Sequence, residues 1–264
     1  MMNKQTIKQF IKQHLPRPIV EFIEFLKYRN QKLINHKYYL DILENKRWLE
    51  IGGPSIAFKI ILPIYPVISN LDSVNFSNKT MWEGLIDEGK SFNYYKNKTG
   101  MQFIAEATDL SHIKNNEYDF LLSSNCLEHI ANPLKALDEW VRVIKPNGYL
   151  LLVLPKKDSN FDHKRQVTLF EHILEDFNNN ITEHDQTHLS EILELHDLSR
   201  DAAAGSIEQF KLRSLNNFTN RGLHHHVFDM SLIKSVFNYY NIDLLQESET
   251  NNDYFAIGKV IKHD

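Results

Sequence analysis

Two strongly apolar strand candidates on either side of one helix restrict this chain more than any other feature. Residues 118–125 read YDFLLSSN and residues 149–154 read YLLLVL. Between them Leu134, Leu137, Val141 and Ile144 recur at helical spacing, with Pro133 placed as an early helical residue. Pro146-Asn147-Gly148 then stops that helix. A continuous apolar run suits a strand buried on both faces, and strand–helix–strand succession joins parallel neighbours. Three earlier strand candidates lie at 46–52, 67–74 and 101–106, with a helix expected over 79–90. The segment 55–66 is apolar but holds Pro63 and Pro66, so a helix there is short or irregular. Near the C-terminus, Asp229 can N-cap a helix running through Tyr240, and 242–247 and 254–261 read as an antiparallel strand pair. The expected fold is α/β: a doubly wound, Rossmann-like sheet of seven strands, mostly parallel with a C-terminal antiparallel strand.

The alternation is interrupted once. Residues 156–226 are polar, with helices expected near 168–178, 186–197 and 206–215, and read as a helical insertion after strand five. The expected divisions are an N-terminal helical cap over 1–45, a sheet core over 46–155, a lid over 156–226, and completion of the core over 227–264. In the cap, Ile7, Phe10 and Ile11, then Ile19, Phe22, Ile23 and Leu26, form apolar stripes on either side of Pro16 and Pro18. Two short amphipathic helices packed on the core, or on a second copy in a homodimer, are the reading preferred to a membrane-surface anchor. The stretch lacks the continuous apolar centre and small-residue cleavage site of a signal peptide.

Composition excludes some functions. A formal charge of −4 gives no footprint for nucleic acid. No apolar run approaches a transmembrane span, and the single cysteine, Cys126, excludes an internal disulfide. Both fit a reducing, cytoplasmic compartment.

Chemistry is expected where the first strand stops. The run from Lys46 to Ser55, KRWLEIGGPS, buries Trp48, Leu49 and Ile51 and ends in Gly52-Gly53-Pro54. Glycines let a ligand approach the backbone, and open α/β sheets bind ligands at the carboxyl ends of their strands. Asp72 lies 22 residues after Glu50, a distance that suits a second-strand carboxylate accepting from ribose hydroxyls. A nicotinamide-dependent oxidoreductase is the rival in this fold. Its G-x-G-x-x-G turn presents N–H groups to a pyrophosphate, whereas Gly52-Gly53-Pro54-Ser55-Ile56-Ala57 lacks the later glycines and inserts a proline.

Taken together, LEIGGPS at 49–55, Asp72, ATDL at 107–110 and YDFLLSSNCLEHIANPLKALDEWVRVIKPNGYLLLVLP at 118–155 resemble class I S-adenosylmethionine-dependent methyltransferases of the type 11-like branch, with its Leu-Glu-His turn after strand four. The resemblance implies S-adenosyl-L-methionine as methyl donor and S-adenosyl-L-homocysteine as product. It implies that Glu50 favours the donor's ammonium end and that Gly52 and Gly53 admit the donor to the backbone, with N–H groups to offer. Asp109 would accept from the adenine amino group and Leu110 donate from its backbone, while Ser124 and Asn125 face the reacting methyl. Pro54 departs from the commoner glycine-rich loop. His129 reads as a packing or bracing residue and is assigned no chemistry. FDHKRQVTLFEH, DQTHLSEILELHDLSRD and NRGLHHHVFD resemble a bacterial subgroup associated with surface-polysaccharide, capsule or glycan synthesis.

The insertion holds eight of the chain's histidines, at 163, 172, 184, 188, 196, 224, 225 and 226. A hydroxyl acceptor profits from a general base titrating near neutrality, which histidine supplies. His163 and the His224–His226 run, with His225 and His226 foremost, are the candidates; the alternative is that these residues brace the lid. Arg165, Arg200, Arg213 and Arg221 are available to an anionic acceptor. His184, His188 and Glu191 share one helical face at a metal-ligand spacing that Asp162-His163 or His224–His226 would complete. Nothing in the spacing fixes a ligand set, so no metal ligands are assigned and a divalent metal stays a minor alternative.

The expected activity is methyl transfer to a small polar acceptor, foremost a hydroxyl of a sugar, nucleotide-sugar or glycan precursor. An N-methyltransferase acting on an amine or phosphoramidate-like group, and a non-catalytic S-adenosylmethionine-binding partner of a glycan assembly complex, are the alternatives.

Overall fold

Trp48, Leu49, Glu50 and Ile51 are all buried because their strand, β1 (Arg47–Ile51), has a parallel neighbour on each edge and a packed layer on each face. The computed structural model describes residues 46–201 and 203–262, together with Ile23, Phe25, Leu26, Tyr28, residues 29–31, Leu33 and Tyr39. The two amphipathic helices expected around Pro16 and Pro18 lie outside the described residues, apart from Ile23 and Leu26.

On either side of β1 run β2 (Asn70–Asn75), three short or edge strands β3 (Lys79–Thr80), β4 (Gly84–Leu85) and β5 (Gly89–Tyr95), β6 (Lys98–Ile104), β7 (Tyr118–Ser124) and β8 (Ile144–Pro155). The chain ends in β9 (Ile242–Glu249) and β10 (Asp253–Val260). The main sheet has the order β5-β6-β2-β1-β7-β8-β10-β9. From β6 to β8 all pairings are parallel; β5 with β6, β8 with β10 and β10 with β9 are antiparallel. Without β5 this is the doubly wound succession 3-2-1-4-5-7-6, its order reversing next to β1.

The sheet therefore has eight strands where seven were expected. The eighth is β5, which folds back on β6 through Lys96, a residue in the left-handed region. The helix expected over 79–90 is also absent: β3 and β4 form a small hairpin there. Gly84 and Gly89 take positive φ, Thr80 Oγ1 accepts from the Glu83 N–H at 2.9 Å, and Met81, Trp82 and Leu85 stay exposed. Apolar residues with no surface to cover cannot hold a helix. The 55–66 segment contains one turn of π-helix, Ala57–Ile61.

Two apolar layers sandwich the sheet. One face carries Trp48 stacked on Phe120 (centroids 4.0 Å) and Phe120 on Tyr149 (4.6 Å), packed with Phe58, Tyr65 and Phe255. The other is covered by α1 (Pro133–Val143), whose buried Leu134, Leu137, Trp140 and Val143 meet Leu121, Leu150 and Leu152. Asn132 caps α1, its side chain accepting from the Lys135 N–H at 3.0 Å. After β8 come α2 (Phe170–Asn178), α3 (Leu189–Leu195) and α4 (Ile207–Leu215), with a small apolar cluster of Ile192, Ala204, Phe210 and Leu223. Helix α5 (Met230–Tyr239) returns to the sheet, and Asp229 caps it as expected by accepting from the Leu232 N–H at 2.8 Å. Such caps contribute about 1 kcal/mol each. No helix among the described residues is long and apolar enough to cross a membrane.

Candidate active site

The carboxyl ends of β1, β2, β6 and β7 converge on a cavity of about 520 Å³, within the ~300–1,000 Å³ usual for small-molecule sites. Strand ends supply Gly52, Asn75-Phe76, residues 105–108 and Ser124-Asn125-Cys126. The turn after β7 adds Glu128 and His129, and the insertion closes over them with Phe161, Glu183, Arg221 and His224.

Backbone geometry at the end of β1 explains its glycines. Gly52 has φ +79 and its N–H is bonded to the Val74 carbonyl at 2.9 Å, so it is not the free donor expected. A Cβ on Gly53 would strike the Glu50 carboxyl group. Glu50 lies beneath the loop, off the cavity wall, fully buried. Its carboxylate accepts from the Tyr65 hydroxyl at 2.7 and 2.8 Å and from the Ser55 N–H at 3.2 Å. Burial pushes it up to about 7 against those hydrogen bonds. Its observed contacts are those of a loop organiser, a correction to the expected ammonium contact.

Three other expected donor contacts are displaced. Asp72 lies in the first half of β2 opposite Leu49, away from the cavity. Its carboxylate is taken by the Met101 N–H and the Tyr118 hydroxyl, both at 2.9 Å, and by Arg47 Nη2 at 3.4 Å. Strand β2 begins and ends later than its sequence pattern suggested, so its tip is Asn75, not Asp72. Asn75 Nδ2 donates to the Gly53 carbonyl at 3.3 Å, tying the two strand ends together. Asp109 is exposed and accepts from the Ser111 N–H at 3.1 Å, while Leu110 is buried with its N–H on Glu139 Oε2 at 2.6 Å. The cavity instead receives the residues just before them, with Glu106 pushed up by burial against its bond to Arg221 Nη2 at 2.6 Å. Ser124 and Asn125 do line the cavity, and Asn125 turns the chain there at φ +48.

Of the four histidines offered as a base, His224 lines the cavity, whereas His163, His225 and His226 do not reach its wall. His163 lies outside it with Nε2 2.8 Å from Asp197 Oδ2. His225 is buried with Nε2 3.0 Å from Asn217 Nδ2, and burial pushes it down to about 3. His226 is buried with Nε2 3.2 Å from the Ala131 carbonyl, and burial pushes it well down. Of the expected metal face, His184 stacks on Phe218 (3.9 Å) and Glu191 bonds Arg165 Nε at 3.2 Å, so that ligand set does not form.

The residues that do face the cavity are Glu128 and His224. Glu128 is 1% exposed, and neither carboxylate oxygen has a hydrogen-bond partner among the described residues. Burial pushes it up to about 7 despite the attraction of His224. His224 Nδ1 is 2.5 Å from Asp162 Oδ2, and Asp162 Oδ1 is bonded to the buried Arg165 Nη1 at 3.1 Å. Arg165 also donates to the His224 and His225 carbonyls at 2.8 and 3.1 Å. Burial disfavours both charges, yet His224 and Arg165 together hold Asp162 down at about 2, and Asp162 with Glu128 raises His224. His129 stacks edge-on against His224 (4.5 Å) with Nδ1 2.9 Å from the Leu223 carbonyl, a bracing position as expected. Glu128 was hidden in the Leu-Glu-His turn; its signal was a carboxylate inside an otherwise apolar, buried turn.

Residues 82–152 match the model of a family described as a methyltransferase domain. No curated protein matches the chain. Solved structures similar to it include a SAM-dependent methyltransferase from Aquifex aeolicus, with 13% identity, coverage of 89% of this chain and 93% of that one, and a TM-score of 0.47. Another is a SAM-dependent methyltransferase from Thermotoga maritima described as a possible histamine N-methyltransferase, with 12% identity, 96% and 98% coverage, and a TM-score of 0.49. A third, from Methanosarcina mazei, has 13% identity, 88% and 100% coverage, and a TM-score of 0.46.

Proposed function

We propose that the protein transfers a methyl group from S-adenosylmethionine to a hydroxyl of a small polar acceptor of the sugar, nucleotide-sugar or glycan-precursor class. The observation that carries the hydroxyl reading is Glu128, a buried carboxylate on the cavity wall with no hydrogen-bond partner among the described residues and an affinity for protons matched to neutral pH. The glycan class rests on the resemblance of the insertion's phrases. When bound, the donor supplies an electrophilic methyl on a sulfonium and departs as S-adenosylhomocysteine.

The chain's own residues do the rest. Gly52 removes a side chain from the β1 tip, and Asn75, Phe76, Ala105, Glu106 and Ala107 present polar and apolar groups suited to an adenosyl unit. Glu128 takes the acceptor's hydroxyl proton as the oxygen forms its bond to the methyl carbon. His224, held on Asp162 and within 4.8 Å of Glu128, orients the acceptor from beside it. Alignment of oxygen with methyl carbon supplies much of the rate, and the lid excludes competing water.

The test is calorimetric titration with S-adenosylhomocysteine, followed by an assay of its release from S-adenosylmethionine with a panel of sugars, nucleotide-sugars and amines. Binding with hydroxyl-dependent release is expected. Release only with amines would replace the reading by N-methylation, binding without turnover would favour a non-catalytic partner, and stabilisation by NADH in place of the adenosyl ligand would overturn the donor.

A further inference from the structure

Away from the cavity, three parts of the insertion bring four side chains together. His172 and Asp176 lie one turn apart on α2, His188 precedes α3, and His226 closes the run of three histidines. Each offers a ligand atom, and the four atoms lie within 4.8 Å of one another. His172 Nε2 is 3.2 Å from His188 Nε2 and 3.5 Å from Asp176 Oδ2, and His226 Nε2 is 3.6 Å from Asp176 Oδ2. A tetrahedral zinc ion with bonds of ~2.0–2.1 Å holds its ligand atoms about 3.3 Å apart.

We propose that His172, Asp176, His188 and His226 bind one divalent cation of the zinc class, as a structural site that ties the insertion together. Three imidazoles and one carboxylate suit zinc, cobalt or nickel in preference to calcium or magnesium, which take oxygen ligands. Four protein ligands leave no open position, which is the mark of a structural site.

Ordinary hydrogen bonding accounts for only part of the cluster, the His226 Nε2 contact with the Ala131 carbonyl among it. A shared proton explains the His172–His188 contact alone. Asp176 is 7% exposed, and its Oδ2 is buried without a hydrogen-bond partner among the described residues. The Nδ1 of His226 is also buried and unpaired, while its Nε2 faces the Ala131 carbonyl. A cation neutralises the carboxylate and gives the facing nitrogens a common partner. The site would anchor α2, the turn before α3 and the 224–226 segment, and so position His224 from behind.

The test is elemental analysis of the full chain purified without a histidine tag, with cobalt(II) titration of chelator-treated protein. About one zinc per chain is expected, with tetrahedral visible bands on cobalt addition. H188Q and D176N lose the metal and the bands, whereas E128Q and H224Q keep both. Absence of bound metal together with no cobalt spectrum in the wild-type chain overturns the proposal whatever the variants do. Loss in E128Q or H224Q with retention in H188Q overturns it in favour of the Glu128, His129 and His224 group on the cavity wall. Every readout is independent of methyl transfer, so failure of the activity leaves this result standing.

Discussion

His224 and its two neighbours are consecutive and chemically identical, yet they live in different environments. His224 lines the cavity, with Asp162 holding Nδ1 and raising its proton affinity. His225 and His226 point into packed protein, where burial drives them toward the neutral form. The segment is pinned from the sheet side, because the Glu128 carbonyl accepts from the His225 N–H at 2.8 Å and the His226 N–H at 3.4 Å. With the segment held by these two backbone hydrogen bonds, His224 faces the cavity and His225 and His226 face packed protein. Identity of residue type says little about role when successive side chains leave a segment in different directions.

The sharpest way to break this contrast is E128Q. If Glu128 is the base, turnover falls by ~10²–10⁴, while affinity for S-adenosylhomocysteine is unchanged. The wild-type rate should climb through pH 7, where Glu128 loses its proton, and the variant's residual rate should lack that limb. Stability moves the other way. A carboxyl raised to about 7 in the folded chain contributes fully below the unfolded value of ~4.3 and loses that contribution as pH rises through 7. E128Q is thus expected to melt higher than wild type at pH 8, with the gap closing toward pH 5.

H225A tests the other side of the contrast. It opens a void and leaves Asn217 Nδ2 without its His225 partner, so a loss of about 1–3 kcal/mol in stability is expected by denaturant titration. A fall in turnover matching that of E128Q, in protein that melts normally, would restore His225 as the base. At the donor end, N75A should weaken S-adenosylhomocysteine about tenfold, the ~1.4 kcal/mol of one lost polar contact. D72N should leave that affinity alone and lower the melting temperature, since its partners are Arg47, Met101 and Tyr118. The smallest effect belongs to H163Q: its ring is paired with Asp197 outside the cavity, and turnover should change less than about twofold.

How far the site could be read in advance depended on whether a residue's place follows from local pattern. Ser124 and Asn125 were found because the apolar run of β7 stops at them. The sequence pattern over 67–74 does not show that β2 spans Asn70–Asn75 with Asn75 at its tip, and in a strand a small slip changes both the face and the end a side chain occupies. Asp109 and Leu110 lie just beyond the residues that line the cavity, because the end of β6 at Ile104 sets where the loop meets it. The hairpin at β3 and β4 stands where the sequence pattern suggests a helix, because Met81, Trp82 and Leu85 are apolar without being buried.

The apolar runs at β1, β7 and β8, the amphipathic face of α1 and the Asp229 cap follow from local periodicity and hydrogen bonding, so the amino-acid order by itself determined the doubly wound sheet and the end at which its ligands bind. The placing of Glu128 within 4.8 Å of His224 brings the turn after β7 to the end of the insertion, and the meeting of His172, Asp176, His188 and His226 depends on how α2, the turn before α3 and the last insertion segment pack. Those contacts are set by burial and by charges brought together across long loops, a balance of desolvation against pairing that only the tertiary structure decided.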